Sequence, residues 1–156
     1  MTAAVLTISD SASQGTRQDL SGPAVTALLK ENGFTIISAD VVPDNQGGIA
    51  ATLIQMCEVA QLVVTTGGTG LSARDVTPEA TASICDKQVP GIAELMRTEG
   101  LKQTPMASLS RAICGTRGQT LILNLPGNPK GATASLQSVM HLLPHAIDLL
   151  AGKTEH

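Results

Sequence analysis

Hydrophobic residues in this chain form short uninterrupted runs, which alternate with longer segments where they recur every three or four positions. The runs are rich in Val, Ile, Leu or Thr, and they cover residues 3–9, 34–42, 62–66 and 120–125. Apolar runs of this length predict strands, and those with few polar interruptions predict strands buried on both faces. Segments with helical spacing separate the first three runs. The chain is therefore expected to begin β-α-β-α-β, with right-handed crossovers.

Turn-forming residues indicate where the predicted helices begin and end. The first helix is expected to open at residues 21–23 and to stop at 32–33, and apolar spacing over residues 49–60 predicts the second. The third helix is predicted to run from 78 to about 86. Thr77 directly precedes it and is expected to cap it.

The remaining segments show the same kinds of pattern. Residues 92–102 have helical spacing, residues 107–114 lead to a turn predicted at 115–118, and residues 129–150 predict a final amphipathic helix. Pro144 must bend or interrupt that helix, because proline donates no backbone hydrogen bond. The segment from residue 10 to 22 is expected to be a loop.

Composition limits the class of protein. The chain has 156 residues, of which 42% are hydrophobic and 15% are charged. This length supports one domain with a real core, and no repeat or low-complexity linker divides residues 1–156. A chain with so few charges is expected to place part of its surface in a subunit interface, and hence to form a homo-oligomer.

Charge, aromatic content and cysteine usage exclude several partners. The net charge is −3 and Phe34 is the single aromatic residue, which argues against nucleic acid. No signal peptide is apparent at the N-terminus, and no run approaches the ~20 apolar residues of a membrane span. Cys57, Cys85 and Cys114 are odd in number and widely spaced. They predict reduced core thiols in the cytoplasm, with a catalytic thiol as the minor alternative.

The strongest candidate site follows the strand predicted at 62–66. Residues 66–70 read Thr-Gly-Gly-Thr-Gly, and the polar residues Arg74 and Asp75 come soon after. Open α/β sheets bind ligands at the carboxyl ends of their strands, and glycine amides there can cradle an anion. The segment matches neither the P-loop nor the dinucleotide fingerprint. A turn that merely reverses the chain is the alternative.

Other strand ends carry polar residues with two possible roles. Asp44 is either a turn residue or a carboxylate that reaches a metal, and Asn124 is either a structural clamp or a ligand contact. Residues 126–128 form a second glycine-bearing loop between a strand and a helix. His141 and His145 could share a metal, but they lack a third ligand and are better explained as structural.

These motifs together resemble the molybdopterin adenylyltransferase family, which comprises Mog/MoaB-like proteins and the G domains of plant and animal molybdenum-cofactor proteins. The resemblance covers nearly the whole chain. Its most specific part is the run Arg-Asp-Val-Thr-Pro-Glu-Ala-Thr at 74–81, which follows the glycine-rich segment. The other segments that carry it are 7–10 with 21–23, 42–44, 109–111 and 124–129.

The resemblance implies an α/β fold with a three-layer α/β/α sandwich and a mostly parallel sheet, usually assembled as a trimer. It implies transfer of AMP from ATP to the terminal phosphate of molybdopterin, with Mg²⁺ as cofactor and pyrophosphate as leaving group. The product would pass to a molybdenum insertase. A non-catalytic molybdopterin-binding or scaffold protein of the same fold is the alternative, and a general nucleotide-binding regulator is a third possibility.

The resemblance also implies roles for individual residues. Asp44 and Asp75 would be the catalytic carboxylates, which hold Mg²⁺ on the nucleotide phosphates or orient the attacking phosphate. Asn124 would hold the loop that follows it, and Arg111 would either pair with an anion or be structural. The residues expected to contact the nucleotide or the pterin are Ser9, Asp10, Thr66, Gly67, Gly68, Thr69, Gly70, Ser110, Pro126, Gly127 and Asn128.

Two positions depart from the family pattern. Some relatives have serine where this chain has Gly100, and another serine is replaced by Ala112. Each replacement removes a hydroxyl that could contact the substrate. The acidic residues and the glycine-rich loops, on which adenylylation depends, are all present.

Overall fold

The computed structural model describes residues 1–154. The strands of this range are β1 (Thr2–Ile8), β2 (Thr35–Val42), β3 (Leu62–Thr66), β4 (Lys87–Gln88), β5 (Cys114–Arg117) and β6 (Thr120–Leu125). Its α-helices are α1 (Asp10–Ser13), α2 (Ser21–Glu31), α3 (Gln46–Cys57), α4 (Thr77–Ile84), α5 (Pro90–Leu101), α6 (Pro129–Val139) and α7 (Leu143–Leu150). Short 3-10 turns cover Pro105–Leu109 and Met140–Leu142. None of the helices within residues 1–154 has the length and apolar character needed to cross a membrane.

The strands within residues 1–154 form one six-stranded sheet in the order β2-β1-β3-β6-β5-β4. β2, β1, β3 and β6 are parallel, while β5 runs antiparallel to β6 and β4 antiparallel to β5. The four parallel strands end at the same edge, because Ile8 pairs with Val42 and Thr66 pairs with both Thr7 and Leu125. The loops after these strands are therefore brought together.

Helices cover both faces of the sheet. Val5 and Val64 belong to an apolar cluster with residues of α2, α5, α6 and α7. Leu6 and Val63, each one position away along its strand, belong to a second cluster with residues of α3 and α4. Successive strand residues point to opposite faces, so these strands are buried on both sides. The expected three-layer sandwich with a mostly parallel sheet is confirmed.

Most predicted elements are present, with differences at their ends. The helix predicted from the apolar spacing over residues 49–60 is α3. It ends at Cys57, three residues before that apolar pattern ends. The last helix is interrupted as Pro144 required: α6 ends at Val139, and Pro144 lies in the first turn of α7. The segment after β1 contains a helical turn, α1, where a loop was expected. That turn forms because the Ser9 side chain accepts a hydrogen bond from Ala12 N at 3.2 Å and so caps it.

Two local predictions are wrong. The turn predicted at 115–118 lies further along, because residues up to Arg117 pair with β6 and the chain reverses at Gly118, whose φ of 56° suits a tight turn. Thr77 is not the cap of α4 but its first residue, and Val76 occupies the cap position without a side-chain bond. The Thr77 hydroxyl instead donates to Gly67 O at 2.9 Å. A contact to a residue ten positions earlier has thus replaced the local cap.

Asn124 is a fully buried polar residue in the middle of β6. Its side-chain NH₂ donates to Thr65 Oγ1 at 3.0 Å and to Thr81 Oγ1 at 2.9 Å, and its Oδ1 accepts from Ile113 N at 3.2 Å. All the polar atoms of the amide are therefore satisfied, as burial requires. The side chain connects β6 to β3, to α4 and to the segment before β5.

Asn124→Ala is expected to lower the free energy of unfolding by about 3 kcal/mol, because it removes the partner of the Ile113 N–H and of the buried Thr65 hydroxyl and opens a small cavity. Chemical denaturation would measure the loss. Asn45→Ala is the matched control, since Asn45 caps α3 through Gly48 N at the surface; its loss should cost about 1 kcal/mol. Equal losses for the two variants would contradict the structural importance of the buried amide.

The three cysteines within residues 1–154 carry free thiols. Burial raises the pKa of Cys57 to about 11 and the pKa of Cys114 to about 12. Burial also raises the pKa of Cys85. Thiols with raised pKa values remain protonated at neutral pH and are weak nucleophiles. This environment favours the interpretation of the cysteines as core residues over the catalytic-thiol alternative.

We expect the protein to lose stability as pH rises above about 9, the ordinary value for a thiol. Between that pH and about 12 the unfolded chain has lost the Cys114 proton while the folded chain keeps it. The unfolded state then binds fewer protons, so this thiol lowers the free energy of unfolding by about 1.4 kcal/mol per pH unit. Denaturation of wild type and Cys114→Ala from about pH 8 to about pH 11 would test this. The variant should show the shallower decline, and parallel declines would refute the effect.

Candidate functional site

Loops that leave the parallel strands meet at their shared edge. Ser9 and α1 follow β1, Asp44 follows β2, residues 67–76 follow β3, and residues 126–128 follow β6. Each of these segments was a candidate from sequence. The segment 67–76, referred to here as the glycine loop, lies between the others because β3 is a central strand of the sheet.

The first two residues of the glycine loop need glycine. Gly67 has φ of 104° and Gly68 has φ of 69°, a region that side chains disfavour. A Cβ on Gly67 would collide with Ile8 O, and one on Gly68 would collide with the Thr77 hydroxyl. The backbone here passes so close to its neighbours that no side chain fits. The loop is therefore held in one shape by its surroundings.

Hydrogen bonds with β6 and α4 stabilise this conformation of the glycine loop. Gly67 N donates to Leu125 O at 3.1 Å, and Thr77 N donates to Gly68 O at 3.1 Å. The Thr77 hydroxyl donates to Gly67 O, and the Thr81 hydroxyl donates to Thr77 O at 2.9 Å. Since Thr81 Oγ1 also accepts from Asn124, a continuous buried chain of hydrogen bonds runs from β6 to the glycine loop.

The loop presents free backbone donors on its other side. Within residues 1–154 no protein acceptor receives a hydrogen bond from the backbone N–H of Gly68, Thr69 or Gly70. Successive free N–H groups in a loop of this kind form a concavity that attracts anions. The arrangement can therefore bind a phosphate group without any cationic side chain.

Arg111 joins the glycine loop to the segment before β5. Its backbone N–H donates to Thr69 O at 2.9 Å, Nε to Gly70 O at 2.8 Å, and Nη2 to Asp75 O at 2.8 Å. The guanidinium also pairs with the Glu79 carboxylate, and the hydrogen bond from Arg111 lowers the pKa of Glu79. Its contacts favour the structural alternative for Arg111 over pairing with a ligand anion.

Asp75 belongs to the glycine loop, and Asp44 lies beside that loop. Asp75 Oδ2 accepts from Ser72 N at 3.0 Å and would lie 2.9 Å from a Cβ on Gly70. Asp44 Oδ1 would lie 3.2 Å from a Cβ on Gly68. No hydrogen bond of the described chain reaches Asp44 Oδ1 or Asp75 Oδ1. Two carboxylate oxygens therefore remain available near the free amides.

The environment of Asp44 disfavours its charge. Burial raises the pKa of Asp44, and the negative charges of Asp10 and Asp75 raise it further, against the hydrogen bond from Asp10 N, which lowers it. The neighbouring Asp10 shows the opposite behaviour, since its hydrogen bonds with Arg74 lower its pKa. A cation placed between Asp44 and Asp75 would relieve their mutual repulsion.

A cleft of about 710 Å³ adjoins the glycine loop. The 3-10 turn at 105–109, α5 and α6 form its remaining walls. Its volume lies in the usual range for sites that bind small molecules. The predicted site residues that line it are Gly68, Thr69, Gly70, Asp75, Ser110, Pro126, Gly127 and Asn128.

The other predicted site residues lie outside this lining. Thr66 donates from its hydroxyl to Pro126 O at 2.7 Å, which ties the two glycine-bearing loops together. Gly67 is buried, and a Cβ added to Gly127 would lie 3.3 Å from the Cα of Gly67. Asn124 is internal, which favours the clamp alternative. Ser9, Asp10 and Asp44 are not part of the cleft lining, and Asp10 and Asp44 hydrogen-bond to each other at the start of α1.

Sequence reasoning missed the walls that α5 and α6 supply. The residues of α6 that face the cleft include Gly131, Ala134, Ser135 and Ser138. Their spacing of three and four positions places these small residues on one helical face, next to the buried apolar face. That pattern was present in the sequence and could have indicated the wall. Arg97 of α5 also lines the cleft and donates to Ala112 O at 2.8 Å.

The beginning of α6 points into the site. Asn128 caps this helix by accepting from Gly131 N at 2.6 Å, and Pro129 takes the first helical position. The positive end of the helix dipole therefore lies next to the glycine loop and favours negative ligands there.

Gly100 faces the 3-10 turn across a tight contact. A Cβ at this position would lie 2.8 Å from Ala107 Cβ. Both residues line the cleft. The missing side chain thus lets α5 and the turn approach each other.

Asp44 and Asp75 are the candidate metal ligands that lie next to the free amides. Within residues 1–154 no group of three or more His, Cys, Asp or Glu side chains could hold a metal ion. The pair His141 and His145 belongs to no such group, so the metal alternative for them has no support. Mg²⁺ usually keeps several waters and binds one or two carboxylates together with substrate phosphates. Asp44 and Asp75 fit that kind of site.

The chain is similar to proteins of known family along most of its length. The family profile described as a probable molybdopterin binding domain matches residues 4–145. The chain is 45% identical over 152 residues to a molybdopterin adenylyltransferase of Helicobacter pylori strain J99, covering 95% of this chain and 86% of that protein. It is 38% identical over 164 residues to the molybdopterin adenylyltransferase of Escherichia coli K12, covering 95% and 84%.

Solved structures show the same relationship. The crystal structure of the molybdopterin biosynthesis enzyme MoaB from Thermus thermophilus superposes with a TM-score of 0.92. It is 47% identical to this chain, and the match covers 97% of each. With the profile match over most of its length, the chain belongs to the molybdopterin-binding domain family.

Proposed function

We propose that this protein is a molybdopterin adenylyltransferase. It transfers AMP from Mg²⁺-bound ATP to the terminal phosphate of molybdopterin and releases pyrophosphate. The observation that carries the proposal is the juxtaposition of free glycine-loop amides with two partly unpaired carboxylates beside a cleft of about 710 Å³. The two bacterial relatives named for this activity support it.

The glycine loop and α6 bind phosphate groups in this proposal. The N–H groups of Gly68, Thr69 and Gly70 donate to phosphate oxygens, and the start of α6 adds its positive dipole. These donors are fixed before the substrate arrives, so little reorganisation accompanies the reaction. Preorganised donors of this kind stabilise charge that develops on a transferring phosphoryl group.

Asp44 and Asp75 would hold Mg²⁺ on the nucleotide phosphates through their Oδ1 atoms, which have no hydrogen-bond partner within residues 1–154. When bound, Mg²⁺ would neutralise phosphate charge and align the α-phosphate of ATP with the attacking oxygen. A phosphate oxygen of molybdopterin forms the new bond to phosphorus as the bond to pyrophosphate breaks. No protein nucleophile is needed, consistent with the protonated state of the three thiols.

The cleft accommodates the pterin and adenosine portions. Its polar lining includes Ser110 and Asn128, along with Ser135 and Ser138 of α6. These groups alternate with apolar side chains such as Met96, as in most small-molecule sites. A non-catalytic binding protein of the same fold would need this cleft but would not need two acids beside the phosphate donors.

The proposal extends to assembly and context. Residues 1–156 act as one domain, and copies of it associate as a trimer. Ile37 and Val41 are exposed apolar residues on the edge strand β2, which supports a subunit contact there. Free thiols are consistent with a reducing compartment, for which we propose the cytoplasm. A molybdenum insertase would consume the adenylylated product.

Purified protein incubated with ATP, Mg²⁺ and molybdopterin is expected to form adenylylated molybdopterin and an equal amount of pyrophosphate. Mass spectrometry of the pterin and a coupled pyrophosphate assay would measure both. Binding of molybdopterin without product would support the non-catalytic alternative. Binding of ATP with no affinity for the pterin would indicate a nucleotide-binding regulator.

Asp44→Asn and Asp75→Asn are each expected to lower kcat by about 100-fold or more, because each removes one charge that holds Mg²⁺. Molybdopterin affinity should stay within about threefold, since neither acid is proposed to bind the pterin. Glu58→Gln, a neutralised acid exposed beyond the end of α3, is the matched control and should keep wild-type rates. Wild-type kcat in both aspartate variants would show that the assigned roles are wrong.

A further inference from the structure

We infer that Asp10 is a positioning residue, which holds Asp44 in its working orientation while Arg74 holds Asp10. This inference rests on the proposed function, and it differs from the role that the family resemblance implies for Asp10. There Asp10 would contact the nucleotide or pterin directly. The hydrogen bonds made by the Asp10 carboxylate indicate a different role.

Asp10 and Asp44 are joined by two reciprocal hydrogen bonds. Asp10 N donates to Asp44 Oδ2 at 3.0 Å, and Asp44 N donates to Asp10 Oδ1 at 2.9 Å. The first bond holds the Asp44 side chain and the second holds its backbone. Together they fix both the place of Asp44 and the direction of its carboxylate, so that Oδ1 is left beside Gly68.

The carboxylate of Asp10 is itself fully engaged. Arg74 Nε donates to its Oδ2 at 2.9 Å, and Arg74 Nη2 donates to its Oδ1 at 2.9 Å. Asp10 Oδ1 thus accepts from both Arg74 and Asp44. A bidentate pair of this geometry is more specific than an ordinary surface ion pair. With both oxygens occupied, Asp10 is a poor ligand for a metal ion.

Arg74 supplies a positive charge to this cluster of acidic side chains. Asp10 and Asp75 both lie close enough to Asp44 for their negative charges to act on it. Arg74, from the glycine loop, pairs with the first of these acids across 64 positions of sequence. One carboxylate therefore connects the loops that follow β1, β2 and β3.

A second role for Arg74 must be distinguished from this one. Its side chain is mostly exposed, so it could leave Asp10 and contact the triphosphate. In that case its removal would weaken ATP binding whether or not Asp10 is present. If Arg74 acts through Asp10, its removal has no further effect once Asp10 is gone.

The test compares steady-state kinetics of Asp10→Ala, Asp10→Asn, Arg74→Gln and the double variant Asp10→Ala/Arg74→Gln. We expect Asp10→Ala to lower kcat by about 30-fold, with the KM for ATP within about threefold of wild type. Asp10→Asn keeps an acceptor for Asp44 N and should lose less than about fivefold. Arg74→Gln should lose about fivefold alone and almost nothing in the Asp10→Ala background.

Asp19→Ala is the matched structural control. Asp19 accepts from the Thr7 hydroxyl at 2.7 Å and from Gly22 N at 3.0 Å, so it anchors the same strand end without contacting Asp44. Its removal should lower the melting temperature and leave kcat unchanged. A fall in kcat that tracks melting temperature across all the variants would reduce Asp10 to a stabilising role and overturn the inference.

Two further outcomes would also overturn it. A rise of about tenfold or more in the Mg²⁺ or ATP concentration needed by Asp10→Asn would make Asp10 a direct ligand. A raised KM for ATP on removal of Arg74 in both backgrounds would make Arg74 a nucleotide contact. If the wild-type protein forms no product, the proposed function itself is wrong, and the wild-type reaction alone shows this. If the wild-type protein is active, the variants test the role of Asp10 separately. Asp10→Asn and Arg74→Gln keep the test decisive if Asp10→Ala does not fold.

Discussion

The site depends on a buried chain of hydrogen bonds that starts at Asn124 and ends at the glycine loop. The Asn124 amide holds Thr81, whose hydroxyl holds the backbone of Thr77, whose own hydroxyl holds Gly67. Each link lies in the interior, where an unpaired polar group is costly, so the chain tolerates few alternative arrangements. This buried chain of hydrogen bonds fixes the backbone of the glycine loop at the surface. The glycine loop, which presents free N–H groups, is therefore held in place by the side chains of Thr77, Thr81 and Asn124, which are buried.

Two arginines hold the same loop at its flanks. Arg111 binds backbone oxygens of Gly70 and Asp75, while Arg74 reaches across to Asp10. Neither cation is aimed at the phosphate donors. In the proposed function, neutral backbone groups bind the anion, and negative side chains lie next to them. Such an arrangement attracts a polyanion that arrives with its own cation, because the acids alone would repel bare phosphate.

The four parallel strands were predictable because they are local features of the sequence. Apolar runs indicated β1, β2, β3 and β6, and the parallel order of these strands placed Asp44, Asp75 and the glycine loop at one edge. β4 and β5 were not predicted, because neither short segment forms an apolar run. What the sequence concealed were contacts between distant residues. Thr77 has the composition of a cap but bonds to Gly67, and Arg111 has the charge of a ligand contact but bonds to backbone oxygens. The turn near 118 was misplaced because strand pairing outweighed the turn-forming tendency of Gly115.

The contact between Gly100 and Ala107 has a consequence for ligand selection. Because a Cβ there would be 2.8 Å from its neighbour, the spacing between α5 and the 3-10 turn is set by main chain against a methyl group, with no rotamer that could swing aside. Gly100 and Ala107 both line the cleft, so their contact sets the distance between two of its walls. A larger residue in place of Gly100 would have to move these walls apart and so change the shape of the space offered to a ligand.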